Sequence, residues 1–159
     1  MQTARLITLI LAALGLAPGA AHVLEMPVKM TYTPELYTAV TSTLYAWFGS
    51  VGAVCQVGAL ISAMWLAYRS RTLASFRPAL FGALALAASL AIWSAVVAPV
   101  NADWGQLIKA GSDALPDAYS RLRPRWEYGH VAAFAAWFAG YVLLQVSVLR
   151  SADRVSPAT

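Results

Sequence analysis

Residues 46–68 read AWFGSVGAVCQVGALISAMWLAY, and residues 78–100 read PALFGALALAASLAIWSAVVAPV. Neither contains a charged residue. A helix needs roughly 20 apolar residues to cross the ~30 Å hydrocarbon core of a bilayer, and each stretch is long enough. To the C-terminal side, residues 131–149 fall just short of that length. To the N-terminal side, residues 6–21 reach it if the helix continues through His22, Val23 and Leu24. No stretch alternates apolar and polar residues as a barrel strand does, and only helices or closed barrels satisfy their backbone in lipid. The expected fold is all-α, an integral membrane four-helix transmembrane bundle with spans at about 6–24, 46–68, 78–100 and 131–149. Residues 1–150 make one domain, and residues 151–159 read as a short disordered tail.

Composition agrees. Of the 159 residues, 60% are hydrophobic and 11% charged, and the mean hydropathy is +0.62; soluble domains carry about 25% charged residues. The net charge of +4 does not imply a nucleic-acid partner, because the basic residues sit in short loops beside the spans. There they anchor to headgroups, so membrane lipid is the expected partner. The single Cys55 lies mid-span and excludes an intramolecular disulfide. Residues 1–21 also have the layout of a secretory signal, with Arg5, an apolar run and small residues at Pro18-Gly19-Ala20-Ala21. The continuation His22-Val23-Leu24-Glu25-Met26-Pro27 reads instead as the wet end of a retained helix.

Arg5, Arg69, Arg71, Arg77, Arg150 and Arg154 fall on the side of the termini and the middle loop; Lys29, Lys109, Arg121, Arg123 and Arg125 fall on the other. The short, purely basic loop 69–77 is the best single guide, and it puts both termini in the cytoplasm. The two loops on the far side are richer than connectors need to be. Thr33-Pro34-Glu35 is a helix start, with a cap, a proline at the first helical position and an acid in the first turn. Tyr37, Val40, Leu44 and Phe48 follow at helical spacing, so the second helix begins near Pro34 and stands above the membrane. In the second loop, 101–127, Trp104, Leu107 and Ile108 make a short amphipathic turn, which Asp113, Pro116 and Asp117 then break. Tyr32, Tyr37, Tyr45, Trp47, Trp104 and Trp126 gather on this side as an aromatic belt.

Both histidines lie on that side, each with a carboxylate one helical turn away, in His22-x-x-Glu25 and Glu127-x-x-His130. Asn101 and Asp103 come from the same level. Three readings stay open. The residues are ordinary interface groups, with Glu25 and Glu127 paired to Lys29 and the Arg121–Arg125 cluster. Or a His acts as base while Asn101 and Arg125 stabilise an enolate-like oxyanion. Or His22, Glu25, Glu127 and His130 ligate a single transition metal; further carboxylates for a di-metal site are missing from the second and third spans. No phosphate loop, CxxC or Ser/His/Asp arrangement stands out, and the spans lack a charge at mid-depth that would favour transport.

Three segments resemble the anthrone-oxygenase-like domain family of small bacterial four-helix membrane proteins: Ala21-His22-Val23-Leu24-Glu25-Met26-Pro27-x-Lys29, Pro99-Val100-Asn101, and Arg125-Trp126-Glu127-Tyr128-Gly129-His130. The resemblance covers nearly the whole chain in span order and spacing. Characterised members oxidise an anthrone to an anthraquinone with molecular oxygen and are regarded as needing no metal or organic cofactor. The His22-x-x-Glu25 pair is a feature of the uncharacterised bacterial branch. The resemblance implies a multi-pass protein of the cell inner (plasma) membrane. It further implies a lipophilic aromatic substrate, deprotonated and then oxygenated at the membrane interface. His130 would be the base, with Asn101 and Arg125 near the oxyanion and Trp104 and Trp126 stacking on a flat ring; His22 is a further catalytic candidate, and Glu25 and Glu127 are further substrate-binding candidates. The alternative is a non-enzymatic membrane protein that binds a lipophilic ligand, metal or partner at the same cleft.

Overall fold

The computed structural model describes residues 1–110 and 115–152, which form helices and short turns with no strand among them. Four helices are long and apolar enough to cross a membrane: Gln2–Lys29, Ala46–Arg69, Phe76–Ala110 and Ala118–Ser151. In chain order the elements are α1 (Gln2–Lys29), α2 (Pro34–Thr43), α3 (Ala46–Arg69), α4 (Phe76–Ile92), a π-turn (Trp93–Val97), α5 (Ala98–Ala110) and α6 (Leu115–Ala152). The π-turn joins α4 and α5 into one rod. The long helices run up and down in a ring, α1 against α3, α3 against α4, α4 against α6 and α6 back against α1.

Small residues line many of the helix contacts around the buried Leu86, Trp137 and Leu144, while many large apolar residues face outward. Ala12, Ala59, Ala63, Ala79 and Ala83 are buried, while Leu6, Leu14, Val54, Ile61, Phe81 and Leu149 are exposed. Close approach is greatest where Gly82 and Gly140 meet: a Cβ on Gly140 would lie 3.0 Å from the Gly82 carbonyl oxygen. Side-chain hydrogen bonds to neighbouring backbone add to the contact. Trp137 Nε1 donates to Ala12 O (2.9 Å), Gln56 Nε2 to Gly15 O (2.9 Å) and Ser89 Oγ to Ala133 O (2.7 Å). At the end that carries the termini, Ser147 Oγ donates to Ser75 O (3.0 Å). There the guanidinium groups of Arg69 and Arg71 lie over the Trp65 and Tyr68 rings.

The opposite end differs from the expected pair of loops. The helix begins at Pro34 as its spacing predicts, with Leu36 N–H donating to the Thr33 hydroxyl (3.4 Å). It is interrupted before α3, however. Thr41 and Thr43 return their hydroxyls to the carbonyls of Tyr37 (2.8 Å) and Ala39 (2.6 Å), a back-bonding that bends and ends helices. The stretch 101–127 is mostly helical. The third span continues through Asn101 and Trp104 to Ala110, and α6 begins at Leu115, so Pro116 and Asp117 sit in its first turn, where proline costs no hydrogen bond. Pro99 is carried inside the rod because the π-turn precedes it. Proline lacks the N–H that would reach Ala95 and its ring crowds that carbonyl; the wider turn, closed by Ala98 N–H to Trp93 O, absorbs both effects. Asp113 and most of the 151–159 tail lie outside the described residues.

Candidate functional site

A cavity of about 440 Å³ opens inside the ring of helices toward the α2 end. Its floor is Trp137 and Gln56, and its walls include Gly19, Gly52, Leu90, Trp93 and Phe134. Its head is His22, Asn101, Trp126 and His130, with Thr41, Tyr45 and Phe48 over the top. Two lining glycines let neighbours pack close, since a Cβ on Gly52 would lie 3.3 Å from the Pro18 ring and one on Gly19 3.2 Å from Phe134.

The two histidines, 108 positions apart in sequence, face each other with ring centroids 4.3 Å apart. Each has one nitrogen committed. His130 Nδ1 lies 2.9 Å from Trp126 O, a carbonyl that can only accept, so Nδ1 carries the proton and Nε2 keeps a free lone pair. His22 Nδ1 lies 3.4 Å from Lys29 Nζ, and an ammonium can only donate. Trp126 is the hub. Its indole N–H donates to Asn101 Oδ1 (2.7 Å), which identifies the oxygen of that amide and leaves its NH₂ uncommitted to Trp126. Its ring packs edge-on against His22 at 4.8 Å.

Above the histidines lies a buried charge pair. Lys29 and Glu127 are 2% and 1% exposed, and Lys29 Nζ is 3.1 Å from Glu127 Oε1. The same carboxylate oxygen accepts from the Tyr37 hydroxyl (2.8 Å), and the ammonium sits 5.0 Å and 5.1 Å from the Tyr45 and Trp126 ring centres. Burial first, and then the Glu127 carboxylate, push the Tyr37 phenol well above its ordinary range. Burial and the hydrogen bond to Glu25 do the same to Tyr45, which donates to Glu25 Oε2.

The sequence-derived candidates are thus partly gathered and partly dispersed. His22, His130, Asn101 and Trp126 meet at the cavity head. Glu127 pairs with Lys29, as the interface reading expects, but in a buried setting. Glu25 is exposed and engaged by Tyr45. Trp104 does not face the cavity: it stacks on Tyr37 (5.4 Å, 17° between planes) in an apolar cluster with Val97, Val100 and Leu122. Arg125 is exposed and lines no part of the cavity, whereas Arg123, two positions earlier on α6, turns inward to Tyr32 O (3.3 Å) and the Tyr119 hydroxyl. The helical phase of α6 accounts for this, because Trp126 and His130 lie at i, i+4 on the inner face and Arg125 lies beside it. Among the described residues, no three His, Cys, Asp or Glu side chains converge as metal ligands, so the two His–Glu pairs do not form a single ligand set. Lys29, Tyr37 and Gln56 were not singled out as site residues from sequence. For Lys29 the available signal is its i+7 spacing from His22, two turns along the same face of α1. The chain matches no family model, no curated protein and no solved structure.

Proposed function

We propose that this chain is a multi-pass protein of the inner membrane, with both termini cytoplasmic, whose cavity takes a flat lipophilic molecule and whose His130 removes an acidic proton from it. The observation that carries the reading is the pair of histidines at the head of a roomy, largely apolar cavity, one of them with a free Nε2. The apolar outer face of the helices supports membrane insertion. The basic 69–77 loop, with its arginines over aromatic rings at one end, supports the orientation.

The chemistry follows the resemblance to anthrone oxygenases. His130 Nε2 takes the ionisable proton, which the enol tautomer of an anthrone carries on oxygen, and the Asn101 NH₂ stabilises the resulting enolate oxygen. Molecular oxygen then adds to the carbanionic carbon, and the peroxide anion takes the proton back from His130. Loss of water from the hydroperoxide leaves a new carbonyl, so one oxygen atom enters the product and the other leaves as water. Arg125 has no part in this version, because it is exposed on the outside of α6.

Oxygen uptake by purified protein with an anthrone tests the reading. His130→Ala should cost about 10²–10⁴ in rate and Asn101→Ala about 10²–10³, with helicity retained. The mostly apolar wall also supports a second reading, in which the cavity binds its ligand without turning it over. Saturable binding with no oxygen uptake would select that reading, and absence of both would reject the site.

A further inference from the structure

The cavity head is asymmetric in a way that names a functional group. Lys29 Nζ donates to His22 Nδ1 at 3.4 Å, so the remaining proton of a neutral His22 ring belongs on Nε2. The Trp126 carbonyl holds the proton of His130 on Nδ1, so its Nε2 is bare. The two rings are 4.3 Å apart and both line the cavity. One therefore offers a donor and the other an acceptor from its uncommitted edge. Asn101 adds its NH₂ donors, and one lone pair of its oxygen is taken by the Trp126 N–H. Lys29 is itself pinned, held between Glu127 and the faces of Tyr45 and Trp126, so the His22 tautomer is set by a rigid, buried group.

A single oxygen that both accepts and donates satisfies this arrangement. A ketone or ether oxygen satisfies only the donors and leaves His130 Nε2 unmet in a desolvated site, which is costly. We infer that Lys29 and the Trp126 carbonyl lock His22 and His130 in opposite tautomers, so that the cavity selects a lipophilic ring bearing an ionisable hydroxyl, a phenol or an enol. Its oxygen accepts from His22 Nε2–H and gives its proton to His130 Nε2, and the oxyanion left behind keeps the donors of His22 and Asn101. This rests on the reading that the cavity takes a flat lipophilic molecule and specifies which one. Lys29 is a positioning residue, acting through His22.

Two measurements test it. With only two histidines in the chain, ¹⁵N-histidine NMR of the protein in nanodiscs at mildly alkaline pH should show one ring of each tautomer. Lys29→Met combined with Glu127→Gln, which avoids an unpaired buried carboxylate, should release His22 into a tautomer mixture while His130 is unchanged. Two identical tautomers in the wild type, or no change at His22 in the double variant, would overturn the inference. In the second measurement, 1-naphthol should quench tryptophan fluorescence at a concentration about tenfold lower than 1-methoxynaphthalene, the scale of one hydrogen bond. His130→Phe, which keeps a ring and removes the acceptor, should erase the difference, whereas His22→Phe should weaken both probes alike. Equal binding of both probes by the wild type sinks the hydroxyl selectivity and leaves the cavity reading standing. Binding of neither sinks both.

Discussion

The Lys29–Glu127 pair decides how the α1 and α6 ends meet, because each charge is intolerable there without the other. Removing one partner of a buried pair typically costs about 3–5 kcal/mol, since the survivor stays buried and uncompensated. Lys29→Met alone should therefore destabilise the protein by that order in a detergent unfolding titration, and adding Glu127→Gln should recover most of the loss. The Tyr37 hydroxyl shares the same carboxylate oxygen, so Tyr37→Phe should cost about 1–3 kcal/mol at neutral pH. The sign of its pH dependence follows from its raised pKa. The phenol is favoured neutral in the fold, so its contribution is present below the ordinary value of 10.0 and is lost as pH rises through the higher folded value. Stability followed by circular dichroism should fall on the alkaline side, and less steeply in Tyr37→Phe. The Lys29–Glu127 pair was one of the open sequence readings, but its burial was not legible, nor was the part of Tyr37. Tyr37 reads as a belt aromatic, and only the approach of α6, about 90 positions away, makes it a partner of Glu127. The histidines were legible, because i, i+3 spacing from a carboxylate at the edge of an apolar run is a local signal.

Helices were the most readable part of this chain, because a charge-free run longer than a bilayer leaves the backbone little choice. Helix ends were less so. The expected loop at 101–127 is helical over most of its length, and Pro99 at its approach is accommodated by the π-turn at Trp93–Val97. Such a turn has no composition of its own and depends on what packs against it. Here that is Gly129 of α6, where a Cβ would lie 2.8 Å from Val97 Cγ2 and 2.9 Å from Val96 Cγ1. Glycine is needed again at the α4–α6 crossing, where the obstacle at Gly140 is backbone as well as side chain. Gly140→Ala should thus cost about 1–3 kcal/mol by overpacking. By contrast Gly105, in α5 with nothing within 4 Å of its Cβ position, should gain about 0.5–1 kcal/mol as alanine, as expected in a helix interior. Thermal unfolding of the two variants beside the wild type checks both signs, and equal effects would mean that the α4–α6 contact is looser than its glycines imply.

At the scale of the molecule, the site and the proposed membrane orientation are linked. The cavity head, the buried Lys29–Glu127 pair and α2 share one end of the bundle, while Arg69, Arg71 and the Ser147–Ser75 contact share the other. The ring order, with every neighbour antiparallel, makes the prediction rigid: whichever side one of these groups occupies, its companions must follow. Cys55 is the chain's single cysteine, so Cys55→Ser gives a silent background for labelling. Single cysteines at Gln2, Thr72 and Ser151 should then react only with a reagent that has entered the cytoplasm, and cysteines at Glu35 and Lys109 only with an impermeant one added outside. Separation of Glu35 from Lys109 would contradict the up-and-down ring itself. Reversal of the whole set would keep the ring and turn the cavity head toward the cytoplasm, so that a hydrophobic ring compound would have to reach His22 and His130 from the inner leaflet.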